Sequence, residues 1–144
     1  MTRKQQAKDT YSSFESELFE TSRWMYDNPE LGYEEFKTSQ KYVDILSANG
    51  FDVEYPAYGL ETALAARAGS SGPEVVICAE MDALPEVGHA CGHNVIGMAA
   101  IGAGLALAPL CEELGIRVTV LGTPAEEAYG SAGRDKLCQR VQDR

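Results

Sequence analysis

Glu74-Val-Val-Ile-Cys-Ala79, then the loop Glu80-Met-Asp-Ala-Leu-Pro-Glu-Val-Gly-His-Ala-Cys-Gly92, then His93-Asn-Val-Ile-Gly-Met-Ala-Ala-Ile-Gly-Ala-Gly-Leu-Ala-Leu107 is the stretch that decides the fold. Val75, Val76 and Ile77 form a continuous apolar run, which suits a strand buried on both faces. Residues 93–107 read as a helix of small residues. Gly97, Gly102 and Gly104, with Ala99, Ala100, Ala103 and Ala106, let its backbone lie close against a sheet. Gly115 breaks the chain before a further strand over 116–121. Strand, long loop, small-residue helix and strand give an α/β layered arrangement.

Working outward toward the N-terminus, residues 10–28 read as an amphipathic helix. Tyr11, Phe14, Leu18 and Met25 recur at spacings of three, four and seven. Asn28-Pro29 stops it, because the residue before proline is pushed out of the helical region. A second helix is expected over 33–49, with Phe36, Val43 and Leu46 on its apolar face and Gly50 ending it in the left-handed conformation. Short strands are expected over 51–55 and 62–66, and 70–73 reads as a hairpin turn leading into the strand over 74–79. Trp24, Phe14 and Phe19 read as core or interface aromatics rather than a cofactor box. The sequence carries neither an internal repeat nor a low-complexity linker.

The chain has 144 residues, enough for one domain with a real core. Twelve basic residues against 22 acidic ones give a formal charge of −10, which argues against a nucleic-acid or anionic-membrane partner. Four cysteines, Cys78, Cys91, Cys111 and Cys138, are too few and too dispersed for a disulfide scaffold. Residues 1–9 lack the apolar core of a secretory signal. The apolar run 95–110, rich in Gly and Ala, is expected to fall short of a membrane span. The expectation is a reduced, soluble, cytoplasmic protein.

Three clusters of reactive side chains fall where strands end. Glu80-Met81-Asp82 follows the strand over 74–79, and His89-Ala90-Cys91-Gly92-His93-Asn94 opens the small-residue helix. Pro124-Ala125-Glu126-Glu127 follows the strand over 116–121. Ligands in open α/β sheets bind beyond the carboxyl ends of strands, so the three can converge. A thiolate and an imidazole two residues apart, with carboxylates nearby, suit zinc and can also hold manganese. Gly92 allows the bend that points Cys91 and His93 at one ion. Adjacent Glu126 and Glu127 can divide the work, one binding metal and the other taking a proton from water. Spacing alone leaves the alternative of a buried cysteine and two solvated carboxylates open. Both histidines of the sequence lie in this one segment, which favours the metal. A cysteine-nucleophile hydrolase fits less well, since Cys91 and His93 are too close to act as an attacking thiolate and a separately oriented base.

Asn28-Pro-Glu-Leu-Gly32 with Glu34-Glu35-Phe36-Lys37-Thr38-Ser39, then Ala79-Glu-Met-Asp-Ala-Leu-Pro85, Gly88-His-Ala-Cys-Gly-His-Asn94 and Gly122-Thr-Pro-Ala-Glu-Glu127 occur in that order. Together they resemble the N-terminal part of the catalytic domain of the aminoacylase and carboxypeptidase type of metallopeptidases. The similarity is to the amidohydrolase branch of N-acyl-amino-acid, aminobenzoyl-glutamate and dipeptide hydrolases, over about residues 12–137. The resemblance implies a three-layer α/β/α sandwich of the zinc-peptidase type, here incomplete. It implies Cys91, His93 and Glu127 as metal ligands and Glu126 as general base. Asp82 matches an acidic residue that orients a ligand or the site's hydrogen bonds. Glu80 stands where other branches carry a ligand histidine, which leaves its metal role in doubt. His89 would support the ligand pair or touch substrate, and Asn94 replaces a common Asp.

The implied reaction is hydrolysis of an amide bond in a dipeptide or N-acyl amino acid, with one or two Zn2+ or Mn2+ ions in the complete enzyme. The resemblance also implies that residues 1–144 are the N-terminal portion of a catalytic domain. The dimerisation domain and the remaining catalytic segment lie outside it, and a homodimer is expected of the full-length form. The isolated chain is then expected to bind metal weakly and hydrolyse little. The alternative is a non-catalytic remnant acting as a binding module.

Overall fold

The computed structural model describes residues 1–128; Cys138 and the end of the implied motif region lie outside them. Helix α1 spans Arg3–Asp27, starting well before residue 10 because the Thr2 hydroxyl caps it by accepting from the Gln5 N–H. Helix α2 spans Phe36–Ala48. Its start is delayed relative to the sequence reading because Tyr33 takes a left-handed conformation at φ 68°. Its buried face is Thr38, Ser39, Tyr42, Ile45 and Leu46, whereas Phe36 is exposed, so the apolar face expected from Phe36 is rotated toward smaller residues.

Strands β1 (Asp52–Glu54), β2 (Leu64–Ala68), β3 (Glu74–Glu80) and β4 (Arg117–Thr123) form one mixed sheet in the order β1-β2-β4-β3. Strand β4 therefore runs between β2 and β3, antiparallel to the first and parallel to the second. This corrects two expectations. Residues 70–73 are not a hairpin turn, since β2 and β3 are not neighbours. Strand β3 is not buried on both faces: it ends the sheet among the described residues, with Val75 and Val76 at 41% and 46% exposure.

Helix α3 spans His93–Leu107, as the small-residue pattern predicts, and with β3 and β4 makes a parallel β-α-β unit. A short turn and helix α4 (Cys111–Leu114) follow, and Gly115 in the left-handed conformation closes α4 before β4. The continuous run His93–Leu114 is long and apolar enough in composition to cross a membrane, which the expectation from 95–110 understated. Sixty-one percent of its most apolar window is buried inside the fold, where α3 acts as a core helix.

The core lies on one face of the sheet. Leu64 and Ala66 of β2 and Val120 of β4 meet Met98, Ile101 and Leu105 of α3, Tyr42 and Leu46 of α2, and Leu18 and Met25 of α1. Each large side chain buried there contributes about 1.5–3 kcal/mol. Ala65 and Leu121 point the other way and are covered by the segment around Ala57 and Ala63. The fold is an incomplete α/β layering: among the described residues the helices gather on one face of the sheet. Trp24 and Phe14 pack against this core, but Phe19 is exposed.

One close approach fixes the geometry of the site. A Cβ built on Gly97 would collide with the Tyr42 hydroxyl oxygen and fall 2.7 Å from the Glu80 carbonyl. The same hydroxyl donates to that carbonyl at 3.2 Å. Glycine there brings the start of α3 against the end of β3.

Candidate metal and catalytic site

Parallel pairing of β3 with β4 places Glu80 opposite Thr123, so the segments leaving both strands emerge side by side. The segment after β3 carries Asp82, and that after β4 carries Glu126 and Glu127. Helix α3 begins at their meeting point with His93 as its first residue, after Gly92 at φ 86°. Gly92 supplies the left-handed bend that the sequence reading assigned to it.

His93 is 3% exposed. Its Nδ1 lies 2.8 Å from the Asp82 carbonyl oxygen, which can only accept, so Nδ1 carries the hydrogen. Nε2 is then directed at carboxylates: Glu80 at 3.4 Å, Glu126 at 3.8 Å and Glu127 at 3.8 Å. The ligand atoms of His93, Glu126 and Glu127 all lie within 4.8 Å of one another. Three acidic oxygens facing one imidazole nitrogen form an arrangement that calls for a cation, either a proton on Nε2 or a metal ion among them.

Asp82 holds both sides of this cluster. It is 2% exposed, and its Oδ2 accepts from the Glu127 backbone N–H at 2.9 Å. Its Oδ1 lies 3.3 Å from His93 Nδ1 but takes no hydrogen bond, because that N–H points to the carbonyl instead. Burial pulls the Asp82 carboxyl upward, yet His93 and the backbone N–H groups of Glu127 and Glu126 hold it below its ordinary range. The Asp82 side chain, opposed by burial and aided by its carbonyl and Glu80, pushes His93 up to about 9. Burial, then the neighbouring His93, lowers His89. Both ring nitrogens of His89 are buried without a hydrogen-bond partner among the described residues.

Cys91 is exposed, so the reading of it as a buried small hydrophobe does not hold. It stands outside the three-residue cluster. Its thiol is pushed up chiefly by Glu127, with smaller effects of desolvation and of the carboxylates of Glu126 and Asp82. Asn94 turns away from the cluster, donating to the carbonyl and hydroxyl of Ser22 on α1. A cavity of about 250 Å³ opens beside Asp82 and Glu127, walled by Leu31, Ala83, Leu84 and Pro85.

The donors fit a divalent ion. The imidazole presents a nitrogen whose tautomer is fixed by a backbone carbonyl, two carboxylates face it, and a thiol lies next to one of them. Sequence reasoning assembled Cys91, His93, Glu126, Glu127 and Asp82 and left Glu80 in doubt. The structure brings Glu80 within 3.4 Å of His93 Nε2. The register Glu80↔Thr123 causes this, and it depends on β4 lying beside β3, which local spacing does not reveal.

No family model matches the chain. Individual proteins do. It is 34% identical to the Xaa-Arg dipeptidase of Mus musculus over 146 residues, covering 88% of this chain and 33% of that protein. It is 31% identical to a p-aminobenzoyl-glutamate hydrolase polypeptide of Escherichia coli K12, covering 76% of this chain and 26% of that one. Among solved structures, the Bacillus subtilis YXEP protein is described as a dinuclear metal-binding peptidase of the M20 family. It superimposes with a TM-score of 0.78 at 28% identity, over 91% of this chain and 40% of its own.

Over most of its length the chain is similar to dipeptidases, aminobenzoyl-glutamate hydrolases and a solved M20-family peptidase. The resemblance read from the four motifs is thus borne out, as is the incomplete α/β fold. The chain spans about a quarter to a third of the length of the curated relatives it matches. Those relatives are hydrolases, and metal binding is named for the YXEP structure.

Proposed function

We propose that this chain is the N-terminal part of the catalytic domain of an enzyme that hydrolyses an amide bond in a dipeptide or N-acyl amino acid. The observation that carries the reading is His93 Nε2, fixed by the Asp82 carbonyl and aimed at Glu126 and Glu127. Cys91, His93 and Glu127 would hold a divalent ion, zinc or manganese, and further ligands for a complete one- or two-ion site come from sequence beyond this chain. The bound ion would polarise the scissile carbonyl and activate water. Glu126 would serve as the general base, accepting a proton from the attacking water and returning it to the leaving amine. Asp82 keeps His93 in the ligating tautomer and anchors the Glu127 backbone. The cavity walled by Leu31, Leu84 and Pro85 opens beside Glu127 and receives an apolar part of the substrate.

A ligating Cys91 must stay reduced, which favours a reducing compartment such as the cytoplasm, and the full-length form would be a homodimer. The reading disfavours Cys91 as nucleophile, since its thiol is raised rather than lowered by Glu127.

Zinc and manganese titrations of the chelator-stripped chain test the assignment. Weak binding is expected for the parent chain, with Cys91→Ala, His93→Ala and Glu127→Ala each reducing it tenfold or more. Glu126→Gln is expected to leave binding within about threefold while removing any amide hydrolysis, as a general base rather than a ligand should. Binding indifferent to all four changes refutes the site and leaves a non-catalytic binding module. Enzyme-like turnover by the isolated chain, lost in Glu126→Gln, would support the chemistry and refute the need for residues elsewhere.

A further inference from the structure

Glu35 is fully buried, and no ion pair compensates it among the described residues. It occupies the N-cap position of α2, where a carboxylate ordinarily accepts from its own helix, yet its side chain makes no such bond. Instead Oε1 accepts from the Ala125 backbone N–H at 2.8 Å and Oε2 from the Thr62 hydroxyl at 2.8 Å. Ala125 is 90 residues away in sequence and immediately precedes Glu126 and Glu127. It is buried and sits in the left-handed region at φ 55°, which costs a non-glycine residue roughly 1–3 kcal/mol unless its surroundings impose it.

The surroundings come from the same N-terminal motif. A Cβ on Gly32 would fall 3.0 Å from the Ala125 Cβ and 3.1 Å from its Cα, so the motif closes tightly on that turn and a side chain at residue 32 would press on it. The Glu30 carbonyl accepts from the Ala83 N–H at 2.8 Å, tying the motif to the segment that carries Asp82. The Ser39 hydroxyl lies 2.7 Å from the carbonyl oxygens of both Glu35 and Thr62, its single hydrogen available to either, and bridges the base of the arrangement.

We infer that Glu35 is a positioning residue for the acidic pair: it holds the left-handed turn at Ala125 that aims Glu126 and Glu127 at His93. The inference deepens the functional reading above and rests on it for the role of that pair, but the turn itself can be measured without metal. Buried carboxylates without a cation are costly, and a packing role alone is served as well by an apolar residue. Two acceptor oxygens, one for the turn and one for Thr62, are what this position supplies.

The test uses the full chain and four measurements: folding by circular dichroism, exchange protection of the Ala125 amide, backbone shifts of Glu126 and Glu127, and zinc affinity. Glu35→Ala is expected to lose the Ala125 protection at least tenfold, to shift both glutamate amides, and to weaken zinc tenfold or more in the folded protein. Glu35→Gln keeps an acceptor for the Ala125 N–H and a donor for Thr62, and is expected to stay within about threefold of the parent in both. Should Glu35→Ala fail to fold, Glu35→Asp decides, because it keeps the charge but is one methylene too short to span Thr62 and Ala125. It should show the same losses. Parent-like Ala125 exchange and zinc affinity in a folded Ala or Asp variant overturn the assignment. If the parent chain binds no zinc, the metal reading fails, and the exchange and shift data alone decide for or against Glu35.

Discussion

At the scale of single residues, His93 carries the strongest electrostatic signature. Its proton is retained up to about pH 9, through the Asp82 side chain first and then the Asp82 carbonyl and Glu80, against the opposing effect of burial. An unfolded histidine releases its proton near pH 6.5. The folded form therefore binds the proton more tightly, and the stabilisation is complete below about pH 6.5, declines across the interval, and is gone above about pH 9. For the metal-free chain this amounts to on the order of 3 kcal/mol. Urea unfolding followed from pH 6 to 10 should show the decline, and His93→Gln should flatten it. A parent profile no steeper than that of His93→Gln would remove His93 as its source. Cys91, His93, Glu126 and Glu127 were legible in sequence because each pair is adjacent or nearly so. Glu80 and Glu35 were not, because their relation to the site passes through strand register and a contact 90 residues long.

At the scale of elements, legibility followed how local the cause was. The small-residue pattern of α3 gave its bounds, 93–107, because glycine and alanine spacing is a property of the helix itself. The burial of β3 departs from the sequence expectation because it depends on which strands flank it, and among the described residues the sheet order leaves it at the edge. The same logic locates the sensitive point of α3. Gly97→Ala drives a methyl into the Tyr42 hydroxyl oxygen and to 2.7 Å from the Glu80 carbonyl, and neither backbone nor a buried ring yields cheaply. A loss of about 1–3 kcal/mol is expected from overpacking, although alanine is the better helix former by close to 1 kcal/mol. Ala103→Gly on the same helix should cost only that helix-propensity difference. Equal and small effects in both variants would contradict the close approach at Gly97. Because Tyr42 donates to the carbonyl of Glu80, the shift should also weaken zinc binding where Ala103→Gly does not.

At the scale of the whole molecule, two opposing forces act on the described surface. Among the described residues strand β3 ends the sheet, with Val75 and Val76 exposed, and a strand edge left open offers backbone donors and acceptors to another chain. The formal charge of −10 keeps copies apart. Repulsion between exposed charges is screened as ionic strength rises, with a Debye length near 10 Å at about 0.1 M salt, while apolar contact and strand pairing are not weakened in the same way. The isolated chain should accordingly sediment as a monomer in dilute buffer and gain mass with added salt and with protein concentration. Val76→Lys places a charge on the exposed face of the edge strand and should suppress that gain, with a stability change within about 0.5 kcal/mol because the side chain is half-exposed. A chain that stays monomeric at high salt and high concentration would show that the β3 edge is covered in solution. Association untouched by Val76→Lys would place the contact elsewhere. The sign of the salt dependence separates the two forces: charge-driven assembly would weaken with salt, whereas edge pairing held back by net charge strengthens.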